Sequence, residues 1–465
     1  MRGNSSILRA NSRLRQWLGE PGVRFLEYAA RAIERILPHV EVSHWSESAW
    51  AKARSTWTSP SRTAIDVTLA IGQQNTNGGR SLSATVRRRS VPSQSGGAAR
   101  STLDLREFDI CKRIILRISE IFATDHATNA HATFKAFKDS FDAYIVAQHI
   151  ESHHELRPLT VDAIFDSLQT LSQQSYENKA LVFGCIVDSK SGKDDTSLPF
   201  PDAYLSQKKY KALSDGYRTA FEISRNGRLT GFTDLNAPDR RSPDLTEKHH
   251  YPDWAEPIAR ASQDGKCGIV LSRQGDILVF DAGTLRFTYR YGRWHYWNHG
   301  HLIHLLKSLA RTQHVQPSIL GRVVGSIYRA SLDISFRRSG GLFVLLRRKD
   351  RLRDVVRSGE AIGDEDRNEA DKQFDYAVSQ QRIQTLQRPI TIELAALDGA
   401  VVLANSGNFL AYGAVLRPKR QGKLHSAEGS RTKAAIGASN YGISIKVSSD
   451  GQITIYSNGI EFISV

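Results

Sequence analysis

The residues best suited to do chemistry lie in the last third of the chain. Asp398-Gly399-Ala400 opens one apolar run, and the segment Gly429–Lys433 opens a second, small-residue stretch. Asp398 supplies a carboxylate, a ligand that Mg²⁺ and Mn²⁺ accept. Arg431 and Lys433 come at the start of a predicted helix, where cations and free amide groups hold phosphate oxygens. The two segments together contain what is needed to bind a metal–nucleotide complex.

Small residues accompany the charges in both segments. Gly399 and Ala400 would let a flat ligand or a phosphate approach the backbone, and Gly429 and Ser430 can cap the helix. An Asp-Gly pair alone is also an ordinary turn. The basic loop at residues 417–423 lies between the two segments. Its position favours an anionic ligand over a merely solvated face.

In their order along the chain, these segments resemble the diadenylate cyclase domain family (DAC, also DisA_N). That family has a strand of Gly-Ala-Leu-Ile-Val type, then Asp-Gly-Ala, then Gly-Thr-Arg-His-Arg-Ala-Ala, and finally Ser-Glu-Glu-x-Gly. The matching stretches here are Gly340–Val344, Asp398–Ala400, Gly429–Ala435 and Val447–Gly451. The resemblance covers residues 317–465, roughly the C-terminal third of the chain.

The resemblance implies a mixed-sheet α/β domain that condenses two ATP molecules into cyclic di-AMP with Mg²⁺ or Mn²⁺. It implies that Asp398 is the catalytic residue and the metal ligand. It also implies a face-to-face homo-oligomer, because each domain presents one ATP to the other. The nucleotide-binding residues that it implies are Gly399, Ala400, Gly429, Ser430, Arg431, Thr432 and Lys433.

The chain departs from the family pattern at four positions. Thr432 stands where the family has His, and Lys433 where it has Arg, which keeps the charge but loses the bidentate geometry. Ser449 and Asp450 stand where the family has two glutamates. The ending around Asp450-Gly451 is similar to DACNV-type relatives, proposed to be sensor versions of the domain. The alternative to a cyclase is therefore a catalytically weak or inactive nucleotide sensor in a signalling or defence system. The expected ligand is ATP or a cyclic dinucleotide.

The charge and composition of the whole chain suit an anionic partner. The 465 residues carry a formal net charge of +15, with a pI near 9.7. Such an excess suits nucleotides or nucleic acid, and it also serves solubility alone. Nucleic-acid binding is thus a third hypothesis, with Arg87-Arg88-Arg89 as its local signal, but a nucleotide is favoured.

The cellular location is predicted from what the sequence lacks. No apolar run approaches the ~20 residues that span a bilayer, and no signal peptide is recognisable at the start. Cys111, Cys185 and Cys267 form no CxxC pair, which is typical of reduced thiols. We expect a cytoplasmic protein that makes no membrane contact.

Hydrophobic periodicity predicts an α/β protein in three parts. Residues 1–175 form a helical N-terminal region with a basic Gly/Ser-rich loop at 72–101, residues 176–312 a mainly β middle domain, and residues 313–465 the DAC-like nucleotide-binding domain. Apolar stripes at helical spacing predict helices through Ile110, Ile114, Ile115 and Ile118 and through Val161, Ile164, Phe165 and Leu168. The apolar run Gly341–Leu346 predicts a strand. A weak internal echo links Ser272–Ile277 to Ser448–Ile453. We interpret it as convergence of similar hairpins.

Histidines are the remaining candidate ligands. His299 and His301 lie in the aromatic segment 294–301, which favours strand-end packing with surface histidines over a metal site. His153-His154 and His249-His250 have no acidic or cysteine partner at ligand spacing. Both pairs are therefore predicted to be exposed.

Overall fold

The computed structural model describes residues 26–27, 29–49, 65–70, 80–88, 103–124, 138–176, 179–190, 199–201, 205, 210, 213–237, 247–418 and 429–465. Contacts divide the chain into two compact units. The first comprises Met1–Asp244 and Ala255–Trp297, and the second comprises Leu245–Trp254 and Asn298–Val465. Helices and mixed sheets together confirm the predicted α/β class.

The helices of the first unit follow the predicted apolar stripes. They are α1 (residues 29–36), α2 (Leu105–Thr124), α3 (Lys138–His153), α4 (Thr160–Ser172) and α5 (Glu256–Ala261). The predicted stripe residues Ile110, Ile114, Val161, Ile164, Phe165 and Leu168 are all fully buried. The side chains of Ile115 and Ile118 lie outside the described part. None of the described helices is both long enough and apolar enough to cross a membrane.

A three-stranded sheet lies where only helix and loop are predicted. Its strands are β1 (Val40–Ala49), β2 (Ile65–Ala70) and β3 (Arg80–Arg88), in the order β1-β3-β2. β3 falls inside the predicted loop at 72–101, so that prediction is wrong for residues 80–88. The physical reason is the alternation of Leu82, Ala84 and Val86 with polar residues, a strand pattern that the surrounding Gly and Ser obscure. The other residues of the predicted loop, Arg89 included, lie outside the described part.

The predicted middle strands form a seven-stranded sheet in the order β12-β11-β10-β9-β6-β7-β8. β6 and β7 are parallel, and the other neighbours are antiparallel. The strands are β6 (Phe183–Asp188), β7 (Thr219–Ser224), β8 (Leu229–Asp234), β9 (Lys266–Leu271), β10 (Ile277–Asp281), β11 (Thr284–Arg290) and β12 (Arg293–Tyr296), after a short hairpin of β4 (Ser175–Tyr176) and β5 (Lys179–Ala180). Phe165 of α4 packs on Trp294 of β12, with ring centroids 4.3 Å apart. Helices and sheet share one core, which is why the predicted N-terminal and middle parts form one unit.

The second unit is a six-stranded sheet with helices, in the order β15-β14-β13-β16-β17-β18. β13 and β14 are parallel, and the other neighbours are antiparallel. Its strands are β13 (Gly341–Leu346), β14 (Ala400–Leu403), β15 (Phe409–Ala414), β16 (Gly442–Val447), β17 (Ile453–Ser457) and β18 (Ile460–Ser464). Its helices are α6 (His299–Thr312), α7 (Pro317–Arg337), α8 (Glu369–Ser379), α9 (Arg388–Ala396) and α10 (Ser430–Ala438), with a 3₁₀ helix at Lys349–Asp354. α6 packs on α7, so the main segment of the unit begins at Asn298 and not at the predicted 313, and Leu245–Trp254 also belongs to it.

The two larger sheets share one topology. Strands β8-β7-β6-β9-β10-β11 match β15-β14-β13-β16-β17-β18 in order and in direction, with β12 added to the first sheet. The helices also correspond along the chain. α4 precedes β6 as α7 precedes β13, and α5 precedes β9 as α10 precedes β16. Convergence of single hairpins would not be expected to give six strands in the same order.

The turns that carry the internal echo are also the same. The Gly275 amide donates to the Ser272 carbonyl at 3.0 Å, and the Gly451 amide donates to the Ser448 carbonyl at 2.8 Å. The next turns, 282–283 and 458–459, have positive φ at both residues. We therefore replace the interpretation as convergence with one of internal duplication.

A buried ion pair fixes the helix that leads to Asp398. Arg388, the first residue of α9, donates from Nε and Nη2 to the two carboxylate oxygens of Asp333 on α7, at 2.8 and 2.7 Å. The Arg388 Nη2 also donates to the Tyr251 carbonyl at 2.6 Å. The Asp333 side chain is completely buried. Since α9 ends just before Asp398, this pair helps to place the candidate site.

Replacement of Arg388 by alanine is expected to lower the free energy of unfolding by about 3–5 kcal/mol, because it leaves the Asp333 carboxylate buried without its partner. The control is Arg337→Ala, which removes partly exposed pairs with Glu393 and Asp253 and is expected to cost less than about 1 kcal/mol. Urea unfolding of the full chain measures both. Equal effects of the two variants would contradict this account.

Candidate functional site

One edge of the six-stranded sheet collects the predicted site residues. Because β13 and β14 are parallel, Gly340 and Asp398 both lie at the edge where these strands begin. Because β16 is antiparallel to β13, its last residue, Val447, pairs with Gly341 at the same edge. Arg431 of α10 reaches this edge too, since a Cβ added to Gly340 would lie 2.5 Å from its Nη1.

Asp398 and Arg431 are brought together. The Arg431 Nη2 lies 3.7 Å from the Asp398 Oδ1, and the Asp398 side chain is fully exposed. A loose, solvated pair of this kind can exchange the guanidinium for another cation. Among the described residues, Asp398 belongs to no group of three potential metal ligands. A metal ion here would have one carboxylate from the protein and take its other ligands from water and phosphate, a pattern that Mg²⁺ accepts.

Gly399 shapes the backbone and not an open ligand surface. Its φ is +120°, and an added Cβ would lie 2.3 Å from the carbonyl carbon of Gly413 on β15. The predicted space beside Gly399 is therefore filled by β15. Ala400 is buried and pairs with Ala414, so its side chain faces the core. These contacts hold Asp398 outside the sheet, where its carboxylate meets solvent.

The start of α10 supplies positive charge. Gly429 is the N-cap residue, with φ −66° and ψ 160°. A Cβ added to it would meet no atom within 4 Å. Ser430 is exposed, and Arg431 and Lys433 are partly exposed. The amide groups of a first helical turn have no acceptors within the helix, and the helix dipole adds partial positive charge there. The predicted cap falls at Gly429, Ser430 is the first residue of the helix, and no side-chain hydrogen bond caps it.

Lys446 is a site residue that the sequence reasoning missed. It lies on β16, and its Nζ donates to the Thr432 Oγ1 at 3.0 Å. The signal in the sequence is a single lysine among the apolar residues of this strand. Lys446 brings a cation close to the place where Thr432 replaces the family's histidine.

Asp450 is committed to its own turn. It accepts a hydrogen bond from the Ser448 hydroxyl and another from the Gln452 amide at 3.3 Å. Partial burial raises the pKa of Asp450, but these hydrogen bonds and the charge of Lys446 hold it below its ordinary value. The Ser335 hydroxyl fixes the same turn by donating to the Gly451 carbonyl at 2.5 Å. Asp450 is thus an ionised turn residue, whose carboxylate already has hydrogen-bond partners.

The first repeat keeps the strands but not the charges. Phe221 pairs with Cys185 as Val401 pairs with Phe343, which puts Arg218 at the place of Asp398. The first turn of α5 holds Glu256 and Pro257 where α10 holds cations. The candidate site therefore belongs to the second repeat.

The aromatic segment before α6 packs as predicted, since Trp294, Tyr296 and Trp297 are buried. The prediction that its histidines are at the surface is wrong. His299 and His301 are both buried, and the His299 Nδ1 is 2.6 Å from the Tyr328 hydroxyl.

The predicted exposure of His153-His154 is wrong for His154. His154 is buried, and its Nε2 lies 3.4 Å from the Oδ1 of Asp281. Spacing along the chain could not reveal this partner, because Asp281 comes from a distant strand that the fold brings to the end of α3.

Comparison with known proteins identifies no family for this chain. No family model matches the chain, and no curated protein matches it. Among solved structures, a hypothetical membrane spanning protein from Bacillus cereus is similar at 20% identity over 35% of this chain and 74% of that chain, with a TM-score of 0.24. A double mutant of DacA from Staphylococcus aureus is similar at 18% identity over 30% of this chain and 86% of that chain, with a TM-score of 0.21. Likenesses at these TM-scores carry no argument about fold or function.

Alanine at position 399 is expected to cost at least about 2 kcal/mol of unfolding free energy, because a Cβ would meet the Gly413 backbone and would stand on a backbone that only glycine adopts easily. The control is Gly429→Ser, at a position with open space and a φ that suits any residue. Serine is a good N-cap residue, so this variant is expected to be neutral or slightly stabilising. Urea unfolding measures both, and a harmless Gly399→Ala would contradict the packing described above.

Proposed function

We propose that the second unit is a DAC-type nucleotide-binding domain, and that it condenses two ATP molecules into cyclic di-AMP with Mg²⁺ or Mn²⁺ in the cytoplasm. The observation that carries the proposal is the exposed Asp398 carboxylate, 3.7 Å from Arg431 and at the same sheet edge as the start of α10. This arrangement supports the pairing of a metal ligand with a phosphate-binding group.

The carboxylate and the cations of the site would have different roles. Asp398 would hold the divalent ion, which would neutralise charge on the phosphates and polarise their oxygens. Arg431, Lys433 and Lys446 would bind phosphate oxygens together with the amide groups of α10. Three cations, Arg431, Lys433 and Lys446, against two exposed carboxylates, Asp398 and Asp450, leave the edge net positive, which favours a triphosphate.

The reaction requires two such sites that face each other. Each ribose 3′-hydroxyl oxygen would form a bond to the α-phosphorus of the other ATP, pyrophosphate would leave with the electrons of the broken bond, and the hydroxyl proton would pass to solvent. Orientation of the two nucleotides would supply much of the rate enhancement. The proposal therefore includes self-association of the chain through this edge.

A nucleotide sensor without turnover is the second candidate, and it too rests on an observation. Thr432 accepts a hydrogen bond from Lys446, and Asp450 holds its own turn. The donor and the acidic pair that the cyclase family carries at these positions are therefore replaced by residues with local structural partners. Binding would survive these changes more readily than catalysis, which needs every charge in place.

Product formation from ATP and Mn²⁺ by the full-length protein tests the cyclase. We expect cyclic di-AMP from the wild type and a loss on the order of 100-fold in turnover for Asp398→Ala, because the metal loses its protein ligand. For Arg431→Ala we expect ATP affinity to fall about tenfold or more, because a charge-assisted hydrogen bond is lost. Chromatography of the products and calorimetry with ATP provide the two readouts.

The control variant is Glu369→Ala, which removes an exposed carboxylate on α8 that pairs with Lys372. It is expected to leave both readouts unchanged. Binding of ATP or of a cyclic dinucleotide without any product at any protein concentration would select the sensor. Absence of both binding and product would overturn the proposed function.

A further inference from the structure

A cluster of potential metal ligands lies in the first unit. His153 ends α3, His154 follows it, and Asp281 ends β10. One ligand atom from each of these residues lies within 4.8 Å of the others. The His153 Nε2 is 3.7 Å from the Asp281 Oδ2, and the His154 Nε2 is 3.4 Å from the Asp281 Oδ1.

The orientation of His154 presents its Nε2 to the Asp281 carboxylate. Its Nδ1 lies 3.1 Å from the Gly265 carbonyl oxygen, which can only accept, so Nδ1 carries a proton. A neutral ring would then turn the Nε2 lone pair toward the lone pairs of a carboxylate, and the two would repel. A metal ion between the His154 Nε2 and the Asp281 Oδ1 removes this repulsion.

The separation of the two atoms fits a metal ion. With metal–ligand bonds of about 2.0–2.2 Å, two ligand atoms 3.4 Å apart subtend about 110° at the metal, near the tetrahedral angle. A carbonyl that holds the other ring nitrogen is the arrangement commonly found behind metal-bound histidines. Nitrogen and carboxylate ligands together suit Zn²⁺ and its neighbours better than Mg²⁺.

A cavity of about 10 Å³ adjoins the cluster, with room for one water molecule or one ion. His149 also lines it. This side chain is buried, its Nδ1 lies 2.7 Å from a carboxylate oxygen of Asp109, and its Nε2 is buried without a hydrogen-bond partner. The carboxylate behind the ring repeats the second-shell arrangement of metal-bound histidines. An unsatisfied nitrogen at this cavity is an independent sign that a ligand belongs there.

Arg106 occupies the place that competes with a metal ion. Its Nη1 forms an ion pair with the Asp281 Oδ2, and its Nη2 lies 3.4 Å from the His153 Nε2. The guanidinium thus bridges two of the three ligands. The Arg106 side chain is 24% exposed. The guanidinium can therefore turn toward solvent. Arg286, whose Nε is 4.0 Å from the same oxygen, adds further positive charge that weakens the binding of a cation.

We propose that His153, His154 and Asp281 bind one divalent transition metal ion of the Zn²⁺ type, with water from the adjoining cavity as a further ligand, and that the ion displaces Arg106. The site joins the end of α3 to β10 and so ties helix to sheet. It is independent of the nucleotide site, which uses a hard-metal carboxylate in the second unit. The two sites therefore differ in metal preference.

Zinc binding to the full-length, tag-free protein tests the proposal. Calorimetry with ZnCl₂ in excess Mg²⁺ is expected to show one bound ion per chain, since Mg²⁺ competes at exposed carboxylates but not at nitrogen ligands. With Co²⁺, the visible absorbance of a four-coordinate site is expected. His153→Ala and Asp281→Asn are each expected to weaken Zn²⁺ binding at least tenfold, and Arg106→Gln to tighten it about tenfold.

His153 is the safe variant for folding, because 46% of its side chain is exposed. The control is His304→Ala, which removes an exposed histidine on α6 and is expected to leave binding unchanged. Absence of Zn²⁺ binding to the wild type would overturn the proposal. Zinc that binds equally to the wild type, His153→Ala and Asp281→Asn would be adventitious and would overturn it as well.

Discussion

The pairing of β13 with β14 is the constraint on which the candidate site depends. It is the one parallel pair in the six-stranded sheet, and parallel neighbours cannot be joined by a tight hairpin. The chain must cross over, and it does so through the 3₁₀ helix, α8 and α9. The crossover returns the chain to the edge where β13 began. Asp398 therefore meets Gly340 and α10, and not the basic residues that follow β13 at the opposite edge.

The duplication shows that this scaffold does not require the site. The first repeat has the same parallel pair, β6 with β7, and the same turn at Ser272 that the second has at Ser448. Its equivalent edge nevertheless holds Arg218 in place of Asp398. Backbone turns and buried strands are constrained by packing, whereas exposed residues at strand ends can change without cost to the fold. Two repeats of one fold can therefore differ in function.

The sequence predicted best what local patterns determine. The strand at 341–346 is apolar at every position, as a central buried strand should be, and the structure has it with the predicted bounds. The order of Asp398 and Arg431 also predicted a shared site, and the structure brings the two together. β3 was missed because its short alternation lies among Gly and Ser.

Long-range contacts account for the rest of what the sequence could not show. Lys446 joins the site from across the sheet, and Gly413 fills the space beside Gly399. His154 meets Asp281 only because α3 ends over β10. Each of these contacts joins residues that are far apart in the chain, so no spacing rule finds them. Residue types can suggest a chemistry, but the partners that decide it come from the topology.

The surroundings of the two candidate cation sites differ, and so does what each can do. Asp398 is fully exposed, and a single carboxylate holds a hydrated hard ion only weakly until phosphate oxygens join it. Under the proposed function, such a site would bind its metal together with its nucleotide, which suits turnover or sensing. His154 and Asp281 are largely buried and already face each other, so less reorganisation opposes an ion there once Arg106 has left. A site of that kind holds structure, and for this reason the chemistry of the protein is best sought at Asp398.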